Sequence, residues 1–331
     1  MNKKNSFIVL AVVVVALLVC GVTGVFANFQ SPSTVLKKMA ANMSKVNAKT
    51  ENIDAELAMD ISTASKKAGG APTTVKLTGS FVGKVDSNDE KNPKMDSVLT
   101  INVTSPDFGA VSGTFDFKSI ADATYIKVED AHLPAFLPID ITPLKGVWMK
   151  LDTADLKKLP SGADSLASKI TPEEKQQVLD LFKDQKIFTN LTRLPSEKID
   201  GINTFHFQFG IDKEALKALI LKITELQKAH ASATDKTPIP TADEMNKTFD
   251  GVTFNKGEFW IGKNDYMPYK ASIDFSIADP KSPGDSGHFV VSLSMKDFGK
   301  PVTIEAPTDA KDFKTVFGNF MAGLGMGAPT R

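Results

Sequence analysis

One stretch near the middle of the chain, from Ile199 to Lys228, constrains the fold most. It begins at Asp200-Gly201, a pair that supplies the positive-φ positions of a tight turn. Phenylalanine and polar residues then alternate from Thr204 to Phe209, which predicts a half-buried strand. Asp212 caps a helix in which apolar residues recur at helical spacing. A strand that leads into such a helix requires an apolar sheet surface for the helix to cover.

Runs with the same period-2 alternation occur before and after this stretch, and turn residues separate them. The predicted strands are centred on residues 53–61, 75–85, 99–103, 111–117, 124–129, 147–151, 252–261, 269–277 and 288–298, with a last short strand at 302–304. Further helices are predicted to start at Ser31, Thr171, Thr241 and Asp309. The sequence therefore predicts a long antiparallel sheet with apolar helices against one side.

An almost unbroken apolar run occupies residues 7–27, close to the N-terminus. At about 1.5 Å per residue, a helix over this run spans roughly the thickness of a bilayer core. Lys3 and Lys4 precede the run, and no further Lys or Arg occurs until Lys37. Because positive charge stays on the cytoplasmic side, everything after Ala27 is predicted to lie outside the cytoplasm.

The sequence leaves three fates open for residues 1–30. The run is retained as a signal anchor, is cleaved as a signal peptide near Val25-Phe26-Ala27, or carries a lipid on Cys20. Leu17 to Gly21 is similar to a bacterial lipobox, although Val19 stands where a small residue is usual. Cys20 is the chain's one cysteine, so packing alone must hold the exported domain together.

Composition excludes some partners. The 39 basic and 39 acidic residues balance, so the chain has no net positive charge to attract nucleic acid. Its aromatic residues are 22 Phe against 3 Tyr and 2 Trp, with 11 Met besides. Phe and Met suit a dry interior, whereas sugar or base stacking usually uses Tyr and Trp, so a core or a lipid pocket is favoured.

No motif predicts catalysis, a cofactor or a metal site. Gly284 to Gly287 matches part of a serine-protease signature, but His288 follows it and prolines on its N-terminal side favour a hairpin turn over a nucleophilic Ser286. The four histidines are far apart in the sequence, which argues against zinc. Asp86 to Glu90 is similar to a calcium loop, but Lys91 stands where that loop needs glycine. The sequence therefore predicts a protein that is not an enzyme.

A larger pattern joins these elements. A first helix and five or six meandering strands precede a helical middle. The motif from Gly201 to Phe207 then leads into the Asp-capped helix. Two further motifs follow, Phe259 to Pro268 and Pro301 to Pro307. This pattern resembles the lipoprotein-carrier fold of LolA/LolB carriers and LppX/LprG-type bacterial envelope lipoproteins, over roughly residues 31–320. The resemblance implies an α+β fold in which a strongly curved antiparallel sheet, an incomplete barrel, wraps several helices and can enclose acyl chains.

The apolar run and the resemblance together divide the chain into an N-terminal signal anchor or signal peptide at residues 1–30, a half-barrel domain at 31–322 and a flexible tail at 323–331. The apolar run predicts a membrane-anchored, extracytoplasmic protein, facing the periplasm or the cell surface, and the resemblance implies that this protein binds a lipid or a lipoprotein acyl chain. The alternative is a structural or interaction ectodomain of the bacterial envelope without a small-molecule ligand.

The predicted ligand site lies between the sheet and the helices that begin at Pro32 and Asp309. The segment from Leu133 to Leu144 is predicted to gate it, because its prolines deny backbone pairing while its apolar side chains need cover. The predicted lining residues, flexible or ring-shaped apolar groups, are Leu36, Met39, Met43, Leu133, Phe136, Leu137, Phe317 and Phe320. No cofactor and no metal are predicted.

Overall fold

Twelve strands and two helices have complete bounds in the computed structural model of the chain. The strands are β1 (Thr50–Thr63), β2 (Thr73–Asp86), β3 (Lys94–Ser105), β4 (Gly109–Ile120), β5 (Ala123–His132), β6 (Trp148–Asp152), β7 (Phe188–Ile199), β8 (Ile202–Ile211), β9 (Val252–Gly262), β10 (Pro268–Asp279), β11 (Ser282–Lys296) and β12 (Lys311–Asp312). The helices are α1 (Lys213–His230) and α2 (Phe313–Gly323), and a short 3-10 helix covers Thr142–Leu144.

The structure describes residues 50–63, 73–89, 92–134, 136–137, 139–152, 187–230, 251–279 and 282–323, together with the single residues 34, 35, 38, 39, 42, 173, 243, 246, 249 and 250. These residues form two compact units. The first unit takes the described residues of 1–47, 59–72 and 161–294, and the second takes those of 48–58, 73–160 and 295–331.

The first unit has the strand order β11-β10-β9-β8-β7, in which each pair of neighbours is antiparallel. The β7–β8 hairpin closes at Asp200-Gly201, where both residues have positive φ, 47° and 82°. Both the predicted turn and the predicted strand after it are confirmed. The fully buried Phe275 and Phe289 are cross-strand partners, and their rings stack with centroids 4.8 Å apart.

Helix α1 follows β8 directly. Asp212 caps it as predicted, since its carboxylate accepts a hydrogen bond from the Ala215 N–H at 3.0 Å. Leu216, Leu219 and Ile220 are buried to at least 98%. The apolar stripe is therefore covered in the N-terminal half of this helix.

The polar face of β8 is more buried than the sequence predicts. The alternation in β8 predicts that Thr204 and His206 lie on the less buried face, yet both are buried. His206 Nε2 lies 3.0 Å from Glu258 Oε1, and its Nδ1 lies 3.2 Å from Glu197 Oε1. Trp260 stacks on the imidazole at 4.4 Å and donates its indole N–H to Glu197 at 3.0 Å. Side chains from β7 and β9 thus cover the polar face of β8.

The second unit has the strand order β12-β6-β5-β4-β3-β2-β1. Neighbours from β2 to β6 are antiparallel, whereas the two-residue β12 pairs in parallel with β6. The predicted loops at Asp86 to Lys94 and at Pro106 to Gly109 lie between strands, as expected. Tyr125, Met149 and Leu151 are buried in this unit.

Several predictions about elements are wrong. No strand was predicted at β7, which contains Pro195; it lies at the end of the sheet, where a strand tolerates proline. Residues 302–304 form no strand. The loop predicted at 279–287 is shorter, since β11 begins at Ser282 and places Ser286 opposite Ala278. The terminal helix begins at Phe313 instead of Asp309.

The predicted dominance of antiparallel sheet is confirmed in both units, but a sheet that wraps several helices is not. Among the described residues only α1 and α2 are helices with complete bounds. The helices predicted from Ser31, Thr171 and Thr241 and the N-terminal segment lie largely or wholly outside the described residues. None of the described helices has the length and apolar character needed to cross a membrane.

The cluster around His206 gives a stability prediction. Substitution His206→Ala removes the imidazole from the buried Glu258 carboxylate, which keeps only Lys256, 2.7 Å away, so we expect the free energy of unfolding to fall by about 1–3 kcal/mol, measured by urea denaturation. The matched control is His288→Ala. His288 also lies 2.9 Å from a carboxylate, that of Asp274, but its side chain is 48% exposed, so the loss should stay below about 1 kcal/mol. Equal losses in the two variants would contradict a stabilising role for the buried cluster.

Candidate functional site

The candidate site is a cleft of about 390 Å³ in the second unit, between α2 and the segment from Asp140 to Val147. This volume lies within the range of about 300–1,000 Å³ that is usual for small-molecule sites. The residues that line it are Asp140, Pro143, Val147, Lys311, Thr315, Val316, Asn319, Phe320 and Gly323.

Helix α2 supplies one wall, and its start is fixed by two sets of bonds. Lys311 and Asp312 pair with Met149 and Lys150 of β6, which ties the chain just before the helix to the sheet. The Asp312 carboxylate then accepts hydrogen bonds from the N–H of Thr315 at 2.9 Å and from its hydroxyl at 3.0 Å. An N-cap of this kind satisfies N–H groups that the first turn leaves without partners.

Helical spacing sorts the residues of this wall into two rows. Thr315 and Asn319 are four residues apart on α2, as are Val316 and Phe320, so each pair follows one line along the helix. Lys311 lies in β12, before the helix begins, and also lines the cleft. One row is polar and the other is apolar. The wall is therefore amphipathic.

The segment opposite α2 has little regular structure but is held at several points. The Asp140 carboxylate accepts a hydrogen bond from the Thr142 N–H at 2.9 Å, at the start of the 3-10 helix. Gly146 has a φ of 72° and donates its N–H to the Val128 carbonyl of β5 at 2.8 Å. Lys145 donates to the Asp130 carboxylate at 2.6 Å. These bonds fasten Pro143 and Val147 in place beside β5.

Exposure divides the lining into a rim and a floor. The polar side chains of Asp140, Lys311, Thr315 and Asn319 are exposed, whereas Val147, Val316 and Phe320 are half-buried. Pro143 is the exposed apolar residue of the set. The cleft thus has an apolar floor and a polar rim that reaches water.

The apolar side of α2 is only partly covered. None of its residues is buried, and Phe317 is 36% exposed. The rings of Phe313 and Phe317 stack with centroids 5.3 Å apart, and Phe317 lies 6.1 Å from Phe320. This aromatic row contrasts with the buried apolar residues Leu216, Leu219 and Ile220 of α1.

Of the predicted lining residues, Phe320 lies in the cleft, and Phe317 lies beside it on α2. The predicted gate segment contributes Asp140 and Pro143, but Leu133, Phe136 and Leu137 do not line the cleft and are 36%, 66% and 41% exposed. Met39 belongs to the first unit and is buried there. Its neighbours Lys38 and Asn42 donate to the Tyr266 hydroxyl and the Asp265 carbonyl. Leu36, Met43 and Cys20 lie outside the described residues.

Several lining residues were not predicted. Val316 shares the predicted apolar side of the terminal helix with Phe320, so the helical period could have assigned it. Pro143 and Val147 carried no such signal, because they approach α2 only through the attachment of their segment to β5.

The described residues were also compared with the metal sites that the sequence brought into question. Within them, no three His, Cys, Asp or Glu side chains are placed to hold a metal ion. In the candidate calcium loop, the Asp86 carboxylate accepts hydrogen bonds from the N–H and the side-chain amide of Asn88. Asp86 therefore stabilises its own turn.

Comparison with known proteins gives structural matches only. No family model and no curated protein matches the chain. The chain is similar to the crystal structure of the Mycobacterium tuberculosis lipoprotein LppX, with 15% identity and a TM-score of 0.32 over 83% of this chain and 100% of that one. LprF from Mycobacterium bovis matches with 15% identity and a TM-score of 0.34 over 84% and 99%.

A putative outer membrane lipoprotein-sorting protein domain from Vibrio parahaemolyticus also matches, with 12% identity and a TM-score of 0.17 over 82% of this chain and 95% of that one. The resemblance predicted from the sequence is therefore found among solved structures. All three TM-scores lie below 0.5, so these matches assign neither a ligand nor a membrane to this chain.

The bond between Lys145 and Asp130 gives a pH prediction. The hydrogen bond from Lys145 lowers the pKa of Asp130, so the stabilisation from this carboxylate is present above the ordinary pKa of about 3.9 and is lost as the pH falls through the lower folded value. We expect the Asp130 carboxyl carbon to titrate below about 3.9 in NMR spectra, and its midpoint to rise in Lys145→Gln.

Asp140 provides the internal control for this titration. The hydroxyl and the N–H of Thr142 are the main causes of its lowered pKa, and both remain in Lys145→Gln, whereas the charge of Lys145 is the smallest cause. Its midpoint should therefore rise less than that of Asp130. An Asp130 midpoint that does not respond to the substitution would show that Lys145 does not hold the segment in solution.

Proposed function

We propose that this chain is a membrane-anchored, extracytoplasmic binding protein for an apolar ligand, a lipid or an acyl chain, and that the cleft beside α2 is its site. The observation that carries the proposal is the combination of a 390 Å³ cleft with a half-buried apolar floor of Val147, Val316 and Phe320. The other predicted lining residues of the gate, Leu133, Phe136 and Leu137, belong to the proposal as the apolar approach to this cleft.

The half-buried Phe320 of α2 supports the proposal energetically. Each methylene group of a ligand that leaves water contributes about 0.8 kcal/mol, so ten of them contribute about 8 kcal/mol before the costs of association are subtracted. A ligand that also covers Phe320 adds the burial of part of an aromatic side chain. This balance favours binding only if the walls are already in place, which the backbone bonds of Gly146 and Lys311 support.

The residues of the cleft favour binding over catalysis. Its acid, Asp140, accepts the Thr142 N–H, and the Thr315 hydroxyl donates to Asp312. Among the described residues that line the cleft, no base lies in hydrogen-bond contact with a nucleophile. The proposed role is therefore to hold a ligand without changing it.

The location outside the cytoplasm rests on residues 7–27 and on the lysines that precede them. In the proposed arrangement this apolar run, or a lipid on Cys20, attaches the chain to the cytoplasmic membrane, and both described units lie on the far side.

Peptide-resolved photolabelling tests the ligand site. The full-length protein is placed in phosphatidylcholine vesicles with a diazirine-bearing palmitate methyl ester, and the labelled peptides are identified by mass spectrometry. We expect label on the segment of residues 139–147 and on α2. Phe320→Asp puts a carboxylate on the apolar floor, so labelling of residues 139–147 should fall at least about ten-fold.

Phe317→Asp is the matched control, since it makes the same change on the same helix at a side chain outside the cleft lining. It should leave labelling of residues 139–147 within about two-fold of the wild type. Label confined to residues 7–27 in the wild type would instead support the alternative, an envelope interaction domain without a lipid ligand.

Proteolysis of intact cells tests the location. Protease added to spheroplasts should digest the chain beyond residue 27, because the positive-inside rule places that part outside. A cytoplasmic marker protein should survive in the same sample. Full protection of the chain until the membrane is permeabilised would contradict the proposed topology.

A further inference from the structure

The polar rim of the cleft limits which chemical class of ligand the cleft can bind. Lys311 lines the cleft, and its side chain is exposed. In the described part of the chain, no carboxylate lies within ion-pair distance, 4.0 Å, of the Lys311 ammonium group. Most of the other lysines close to β5 are engaged; Lys127, for example, lies 2.8 Å from Asp116, and Lys145 lies 2.6 Å from Asp130.

Asp140, the one acidic residue of the rim, is hydrogen-bonded within its own turn. The Asp140 carboxylate accepts the Thr142 N–H at 2.9 Å, and the bonds from Thr142 lower its pKa, so it stays ionised as part of its own turn. Lys311 is thus the charged group of the rim that is available to a ligand. The Asn319 side chain, on α2, also lines the cleft and adds an amide that can donate hydrogen bonds.

We propose that the ligand of the cleft is a single-chain amphiphile with an anionic head group, and that Lys311 holds this head group at the rim while the chain covers Val316 and Phe320. The inference rests on the function proposed above and goes further by assigning the charge and the orientation of the ligand. An ammonium group suits this place, because a lysine stem packs along apolar surface while its head stays in water. Carboxylate and phosphate share the required chemistry.

Two probes that differ in one charge test the inference. Full-length protein in phosphatidylcholine vesicles is labelled with diazirine-bearing palmitic acid or with its methyl ester. Label is read on the peptide of residues 139–147, which is unchanged in α2 variants. A charge-assisted hydrogen bond at an exposed rim is at the weak end of its range, so Lys311→Gln should reduce labelling by the acid about five- to ten-fold and leave labelling by the ester unchanged.

Lys314→Gln is the matched control, because it removes the same charge from an exposed position on α2 that does not line the cleft. It should change neither labelling. Asp140→Asn tests the opposite change of charge, because it removes a negative charge from the rim. Labelling of α2 by the acid probe should rise about two-fold, and labelling by the ester probe should not change.

Competition then distinguishes the two anions. Displacement of the acid probe by oleate assigns a carboxylate head group, and displacement by lysophosphatidate at lower concentration assigns a phosphate. Either result supports the inference, whereas displacement by a neutral monoacylglycerol alone overturns it. An equal effect of Lys311→Gln on both probes, or no effect on either, also overturns it but leaves the proposed function standing. If neither probe labels the cleft of the wild type, both proposals fall.

Discussion

Burial of the apolar stripe of a helix is the constraint on which both units depend, and the two helices meet it to different degrees. In the N-terminal half of α1 the stripe is covered, with Leu216, Leu219 and Ile220 almost inaccessible to solvent. In α2 no residue is buried, although Phe313, Val316, Phe317 and Phe320 lie on its apolar side. Apolar surface that stays in water costs free energy in proportion to its area. Apolar surface of α2 therefore remains in contact with water, and a ligand in the cleft would bury part of that surface.

Backbone hydrogen bonds decide whether such a cleft is ready to bind. Side chains alone would let α2 and the segment of residues 140–147 collapse onto each other. The parallel pairing of Lys311 and Asp312 with β6 and the bond from Gly146 to Val128 hold the two walls on neighbouring strands. A preformed site of this kind avoids much of the ordering cost of binding. Its polar row can then select among ligands that share the same apolar chain.

The first unit meets a different constraint on β8, where polar side chains are buried. Burying an imidazole and a carboxylate is costly unless they pair, and His206 Nε2 pairs with Glu258 of the neighbouring strand under the ring of Trp260, while the exposed Glu197 of β7 lies close to the other ring nitrogen. The alternation of β8 identified its apolar face correctly, since Phe207 and Phe209 are buried. It could not show that the other face is covered too. That depends on β7 and β9, whose register with β8 is a non-local property.

Local physical chemistry was enough to determine most of the described strands and the start of α1 from the sequence. Period-2 alternation predicted most strands, Asp200-Gly201 predicted a turn that needs positive φ, and Asp212 predicted a helix cap, because each of these effects involves residues only a few positions apart. The same reasoning missed β7 and assigned a strand to residues 302–304, where the outcome depends on a partner strand and not on the residues themselves. Only the tertiary structure decided that Pro143, Val147 and Lys311 share a cleft with Phe320, since these residues are brought together by sheet pairing between segments that are far apart in the chain.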